Sequence, residues 1–343
     1  MANPVLKSCP IVTRYENNPV LTCNDVSYDC ALVFNAGVIK WQGQYVMVFR
    51  NDYHHLGGSR FEGTNIGLCT SNDGIHWTVA SKPCFDAAQH RQLEARFGFA
   101  EGEVQRCYDP RLTVIDGEIY MTFAVDIRHG LCGCIARTTD FENWEFLSLT
   151  VPDNRNMVLF PEKINGKYVR LERPMPVYSR GRGRDRFDCW MSESPDMIHW
   201  GCSSLLVAVE DFPYANDKVG PGAPPIRTEK GWLVFTHGVD LDPERGKNGW
   251  EDSWKKRYCA GMILLDLNDP HKVLGIYREP LLAPETDYEV KDGFRTNVIF
   301  PTGAVLENDG TVKIYYGASD TVIALATAKA DELAELCLAG GIR

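Results

Sequence analysis

The sequence predicts an all-β fold, a five-bladed β-propeller with a short C-terminal helix. Three observations predict it. A hairpin pattern (apolar strand, turn centred on Gly, second apolar or aromatic strand) occurs five times along the chain. A polar turn running into Trp follows the hairpin in three of those copies. Apolar residues recur with helical spacing only in the last segment, "ATAKADELAELCLA".

The hairpins read "NAGVIKWQGQYVMVFR", "DPRLTVIDGEIYMTFA", "LFPEKINGKYVRLERP", "GAPPIRTEKGWLVFTH" and "FPTGAVLENDGTVKIYYGASD", with turn glycines Gly43, Gly117, Gly166, Gly231 and Gly310. Asp-Gly and Asn-Gly suit tight hairpin turns because those turns need positive φ. The second signature reads "CTSNDGIHW", "ARTTDFENW" and "SESPDMIHW", so Trp77, Trp144 and Trp200 open a fourth strand; the fourth copy, "ILLDLNDP", lacks the Trp. Four-stranded sheets repeated about a centre are propeller blades. A β-sandwich is the competing architecture, and five copies of one pattern disfavour it. Residues 1–343 are expected to form one propeller domain, with an N-terminal extension over 1–30 and the helix over 331–339.

Composition excludes several classes of function. Lys and Arg number 36 against 46 Asp and Glu, a net charge of −10. Nucleic-acid binding is driven by neutralising phosphates, so this balance argues against such a partner. The one basic run, "SRGRGRDR" from Ser179 to Arg186, reads as a solvated loop. The N-terminus lacks an apolar signal region and no stretch is apolar enough to span a bilayer, so no membrane association and a cytoplasmic location are expected. Twelve scattered cysteines then read as reduced, mostly buried thiols. Neither Cys132-Gly-Cys134 nor His54-His55 has the spacing of a common metal site, and no metal or organic cofactor is expected. No Walker-type loop and no Gly-x-Ser-x-Gly elbow is present.

In a propeller the first strand of each blade lines the central channel. Its start lies beside the end of the second strand, so polar residues there converge. Asn35 and Asp109 stand eight residues before their turn glycines. Just past the second strands stand Arg50, Asp126, Arg173, His237 and Asp320. Arg155 and Lys218 lie further ahead of their turns, in "PDNRNMVLFP" and "NDKVGPGAPP". Several cations in an acidic chain either pair with carboxylates or surround a bound anion, and a guanidinium matches phosphate by two parallel hydrogen bonds. A carboxyl at Asp109 facing such an anion site suits glycosidic cleavage in which phosphate is the nucleophile. Ordinary glycosidases use two carboxylates, whereas phosphate is already anionic and needs no base. Burial would raise the pKa of Asp109 and nearby cations would lower it; the sequence leaves that balance open.

These stretches resemble the β-mannoside phosphorylases of glycoside hydrolase family 130. The resemblance runs from about Arg14 to about Leu336 and is carried by "FNAGVIK", "VFRND", "YDPRLT", "DNRNMVLFPEKINGKYV", "ERP", "DKVGPGAPPI", "THGV", "LLDLNDP" and "YYGASDT". It implies that Asp109 is the proton donor, acting through the 3-hydroxyl of the mannosyl unit. It implies that Arg155, Arg173, Lys218, His237 and Tyr258 bind phosphate, and that Asn35, Arg50 and Asp320 hold the sugar. The implied reaction converts a terminal β-mannoside, β-1,2- or β-1,4-linked, and inorganic phosphate into α-mannose 1-phosphate with inversion. Two alternatives remain. One is a β-mannosidase on the same scaffold, with Asp126 or Glu162 activating water; the other is a non-catalytic carbohydrate-binding propeller. The loops "NDYHHLGGSRFEGTNIG" and "DPERGKNGWEDSWKKRY" depart from some relatives and leave the acceptor open. Pairing of copies through the N-terminal extension, giving a homo-oligomer, is conceivable by analogy with other propellers.

Overall fold

The computed structural model describes residues 5–176, 186–246, 249–251 and 253–342. Five antiparallel sheets follow one another along the chain. The first strand of each, counted from blade 1 to blade 5, is Leu32–Trp41, Val104–Ile115, Asn154–Leu159, Lys218–Pro221 and Ile299–Leu306. The second strands are Gln44–Gly57, Glu118–Ile127, Tyr168–Pro174, Trp232–Leu241 and Thr311–Ala318. Blade 4 carries an extra pairing at Ile226–Arg227.

The turn chemistry explains the repeats. Gln42-Gly43, Asp116-Gly117 and Asn165-Gly166 all have positive φ at both residues, the backbone that twists with the strands it joins. In the second signature the aspartate closes the turn. Asp73, Asp140 and Asp196 each accept from the backbone N–H groups two and three residues on. Asp266 does the same in the copy without a Trp, so that blade keeps the turn and loses only the ring.

The inner strands are buried on both faces because each blade packs against two neighbours, whereas an outer strand such as Gly201–Val207 is largely exposed. Separate apolar clusters fill the spaces between blades. Val48, Ile66 and Met121 lie between blades 1 and 2, Leu171 and Val234 between blades 3 and 4, and Phe235, Met262 and Ile314 between blades 4 and 5. Met47 meets Tyr315 where blade 1 returns to blade 5. That closure is completed by the N-terminal segment. Thr13–Arg14 pairs with Val322–Lys329 as the outermost strand of blade 5, and part-buried Arg14 bonds the fully buried Glu289 at 2.8 Å. The N-terminal extension thus supplies an edge strand to the propeller seam. The C-terminal helix runs Ala330–Gly340 and packs Leu333 and Cys337 into the cluster between blades 4 and 5.

A helix at Ala87–Phe97, between blades 1 and 2, was not expected from the sequence. Its signals are local: Asp86 caps the N-terminus with Gln89 completing a capping box, and Gly98 ends it in the left-handed conformation. The basic run at 179–185 lies outside the described residues; Arg186 at its end pairs with Glu210. Among the described residues no helix is long and apolar enough to cross a membrane, and no cluster of His, Cys, Asp or Glu is grouped to hold a metal ion.

Candidate active site

The innermost strands are not regular. Their ladders slip between Phe34 and Gly37 in blade 1, Tyr108 and Arg111 in blade 2, and Arg155 and Val158 in blade 3, with a second slip in blade 2 between Val104 and Arg106. At the slip nearest the channel in each of these three blades one residue takes positive φ: Asn35 at 50°, Asp109 at 55°, Asn156 at 58°. A bulge re-aims a side chain out of the sheet's alternation. Asp109-Pro110 therefore lies in a bulge, and proline is tolerated there because no ladder donor is needed. Blades 1 and 2 approach closely at this level. A Cβ on Gly37 would stand 2.7 Å from the backbone nitrogen of Leu112.

The three bulge residues open onto one cavity of about 330 Å³ at the channel mouth, lined also by Arg50, Arg155, Arg173, Lys218, Tyr258 and Asp320. Asp109 is 5 % exposed, and its Oδ1 accepts from Asn35 Nδ2 at 2.9 Å and from Arg50 Nη1 at 3.3 Å. Both bonds go to one oxygen, leaving Oδ2 for a ligand. Burial pushes the Asp109 carboxyl up, but Arg50, Arg111 and the Asn35 hydrogen bond outweigh it and hold the carboxyl below its ordinary range. Asp320 behaves the other way: burial raises it despite Arg295 and Arg50. Arg50 is forked onto Asp52 at 2.6 and 3.0 Å and lies over the rings of Phe34 and Tyr108.

On the opposite flank Arg155 and Arg173 sit directly across from one another on adjacent strands. Among the described residues Arg155 reaches only the Tyr108 hydroxyl, at 3.4 Å, and its Nε has no partner. Arg173 is fully buried, with Nε and Nη2 unpartnered. Burial, then Arg155, brings its guanidinium down to about 9. Lys218, from the first strand of blade 4, is depressed to about 5 by burial and by Arg173, Lys256 and Arg155. The carboxylate beside it, Asp217, is 3.9 Å from Lys218 but 3.0 Å from Lys256. Among the described residues no carboxylate lies within ion-pair distance of Arg155 or Arg173. Cations withdrawn from water without counter-ions are costly, and Arg155 and Arg173, with Lys218 beside them, form a site that an anion would complete.

A family model described as beta-1,4-mannooligosaccharide phosphorylase, glycoside hydrolase family 130, matches residues 6–338. The chain belongs to glycoside hydrolase family 130. It is 30 % identical to the beta-1,2-mannobiose phosphorylase of Listeria innocua over 94 % of this chain and 97 % of that one. It is equally 30 % identical to the beta-1,4-mannooligosaccharide phosphorylase of Ruminococcus albus, over 95 % of this chain and 90 % of the relative. The Listeria innocua enzyme's structure, solved with beta-1,2-mannobiose, superposes with a TM-score of 0.78 at 28 % identity, over 95 % of this chain and 99 % of that one.

For a family 130 chain, the sequence-derived site residues fall in three groups. Asn35, Arg50, Asp109, Arg155, Arg173, Lys218, Tyr258 and Asp320 line the cavity together. His237 does not line it but stands behind Arg173. Its Nδ1 is 3.2 Å from the Pro221 carbonyl and its Nε2 is 2.7 Å from Arg173 Nη1. That geometry fixes a neutral ring with the proton on Nδ1, accepting from the guanidinium at Nε2. Burial and the cations Arg173, Arg111 and Lys218 keep it neutral. His237 therefore aims Arg173, and Gly220 leaves room for both: a Cβ there would lie 2.7 Å from the imidazole and 2.9 Å from Arg173 Cδ. Asp126 and Glu162, the alternative bases, lie outside the cavity. Asp126 is bound by Tyr108 and Arg106, and Glu162 is half-exposed and pairs with Arg227 at 3.4 Å. Sequence reasoning missed Asn156 and Arg295, as well as the rings of Phe61, Trp254 and Phe294. Asn156 stands ten residues before its glycine rather than eight, because the blade 3 turn is longer. Aligning "FNAGV", "YDPRL" and "RNMVL" on the bulge would have found it.

Proposed function

We propose that this protein is an inverting β-mannoside phosphorylase that cleaves the terminal linkage of short manno-oligosaccharides. The observation carrying this reading is the lack, among the described residues, of a counter-ion for Arg155 and Arg173, beside Lys218, in the cavity that holds Asp109. Hydrolysis would need a carboxylate free to activate water. The lining carboxylates other than Asp109 are Asp52 and Asp320, held by Arg50 and Arg295. Relatives named as phosphorylases of β-1,2-mannobiose and β-1,4-mannooligosaccharides support the same class.

The residues divide the work as follows. Asn35, Arg50 and Asp320 hold the mannosyl unit over the channel. Arg155, Arg173 and Lys218 bind phosphate, with His237 aiming Arg173 and Tyr258 facing it. A phosphate oxygen attacks the anomeric carbon as the bond to the acceptor oxygen breaks. That oxygen takes its proton from the mannosyl 3-hydroxyl, and the hydroxyl takes one from Asp109. Asp109 must be protonated to serve. The cations that keep it ionised in the phosphate-free protein are offset when the phosphate dianion binds among them, which favours proton uptake. Twelve unpaired thiols suit work in a reducing compartment, and we place the enzyme in the cytoplasm.

The deciding experiment incubates β-1,2- and β-1,4-mannobiose with and without phosphate. Mannose 1-phosphate should form only with phosphate, as the α-anomer by NMR. Release of mannose at an unchanged rate in phosphate-free buffer would reject the proposal in favour of hydrolysis, and binding without turnover would favour a lectin-like role.

A further inference from the structure

Blade 1 is unlike the other blades in one respect. Its second and third strands, Gln44–Gly57 and Arg60–Ser71, stay paired out to Gly57 and Arg60, so the hairpin projects past the channel mouth. Its inner face brings Ser59 and Phe61 to the cavity. At its tip His55 packs on Phe61 at 4.9 Å and on Trp250 at 5.4 Å, while Phe61 and Trp250 both meet Phe294 edge-on, at 5.2 and 6.3 Å. The four rings come from three places: the blade 1 hairpin, the loop after the second strand of blade 4, and the approach to blade 5. The backbone under Trp250 is fixed as well. Trp250 N–H donates to the Gly293 carbonyl and Glu251 N–H to the Phe294 carbonyl, both at 3.1 Å.

Within this cluster Phe294 is buried, yet Trp250 is 42 % exposed and Leu56 beside His55 is 56 % exposed. Trp250 is thus an indole held in place by rings and backbone and open to water at the rim. Resting on the phosphorolysis reading, inversion places nucleophile and leaving group on opposite faces of the anomeric carbon. With phosphate on blades 3 and 4, the acceptor leaves toward blades 1 and 5, where this cluster stands. A cavity of about 330 Å³ is at the small end for ligand sites. Sugars beyond the first acceptor unit must therefore pass over the rim.

We propose that Trp250, buttressed by His55 and Phe294, is an outer acceptor subsite that stacks the second acceptor sugar of a manno-oligosaccharide. Phe61 and Phe294 flank the first acceptor sugar, and the Trp250 face takes the apolar side of the next ring. The enzyme then favours trisaccharides and longer chains over disaccharides.

The test compares mannobiose with mannotriose in wild type, Trp250→Ala and Trp250→Phe. Trp250→Ala should raise KM for mannotriose about fivefold and leave KM for mannobiose and kcat for both within twofold, with Trp250→Phe recovering most of the loss. Equal changes on both substrates, or none on either, overturn the subsite. A binding measurement keeps this separate from the catalytic reading. In Asp109→Asn protein without phosphate, mannotriose should perturb indole fluorescence in a way that mannobiose does not and that Trp250→Phe removes. If wild type turns over no mannoside but this response appears, phosphorolysis falls and the subsite stands. If phosphorolysis occurs and the response is absent, only the subsite falls.

Discussion

On the blade 1 and blade 5 flank of the cavity, Arg50 forks onto Asp52, and Arg295 reaches Asp320 at 3.4 Å and bonds Glu251. On the blade 3 and blade 4 flank, Arg155 and Arg173 face each other with no carboxylate in reach among the described residues. The residue types are the same and the chemistry differs. A guanidinium already paired with a carboxylate adds little net charge, and its remaining N–H groups suit sugar hydroxyls. Unpaired guanidiniums repel one another and carry a cost that an arriving anion offsets. One flank thus selects a neutral polyol and the other a dianion. Asp109, touched by Asn35 and Arg50 and influenced by Arg155, stands at their border.

The sharpest break of this comparison is at the border. Asp109→Asn preserves shape and the bulge and removes the transferable proton. The value of kcat for phosphorolysis should fall by about 10² to 10⁴, while phosphate binding, measured by calorimetry, holds or tightens because a negative neighbour is gone. Activity retained in this variant would reduce Asp109 to a counter-ion of Arg50. Next come paired substitutions across the flanks. Arg173→Met should raise KM for phosphate roughly 30-fold or more, from a charge-pair loss of about 2 kcal/mol upward. The phosphate-free protein should nonetheless melt no lower than wild type, since a cation among cations has been removed. Arg50→Met should do the reverse to stability, lowering it by about 3 to 5 kcal/mol, because Asp52 is left buried and unpaired. Two melting curves without ligand check the contrast, and a fall for Arg173→Met matching that of Arg50→Met would abolish it.

Most of the fold was legible because it rests on short-range signals repeated along the chain: the Gly turns, the Asp turns and the apolar strands between them. Asn35 and Asp109 were legible for the same reason, lying at one offset from their glycines. What was not legible depends on contacts distant in sequence. The indole of Trp250 meets His55 of another blade, and Arg14 meets Glu289 across the whole chain. His237 was expected to touch phosphate, and a residue list cannot show that Gly220 and Pro221 seat its ring behind Arg173. The ionisation of Asp109 was likewise beyond the sequence. It turns on the balance of burial against Arg50 and Arg111, which only the packing sets.

A smaller effect sharpens the anionic flank through pH. Lys218 in the phosphate-free protein is held down to about 5 by burial and by Arg173, Lys256 and Arg155. An unfolded lysine titrates near 10.4, about five units higher. Between these values the unfolded chain holds a proton that the folded one lacks, so this group makes stability rise with pH across that window. Bound phosphate returns the proton to Lys218, so the gain in melting temperature from phosphate should shrink as pH rises from about 6 to 9. Phosphate's own ionisation acts in wild type and variant alike, so the difference between wild type and Lys218→Met isolates the lysine. Identical pH profiles for the two would mean that Lys218 stays charged in the phosphate-free protein.

The smallest expected effect tests what the cavity excludes. Glu162 lies outside it, half-exposed, with its carboxylate 3.4 Å from Arg227. An exposed ion pair is worth about 0 to 1 kcal/mol, so Glu162→Gln should shift the melting temperature by no more than about 4 °C and leave phosphorolysis within about twofold of wild type. Asp126→Asn should cost more without abolishing activity, because Asp126 accepts from the Tyr108 hydroxyl at 2.9 Å and binds Arg106, both of which line the cavity. Its loss should loosen Tyr108 and with it the hold on Arg155. That change should appear in KM for phosphate rather than in kcat. A base that activates water would fail in kcat at every phosphate concentration. The split between KM and kcat therefore separates a positioning carboxylate on the anionic flank from a second catalytic one, and an Asp126→Asn enzyme dead at saturating phosphate would restore the hydrolase mechanism that the paired and unpaired flanks argue against.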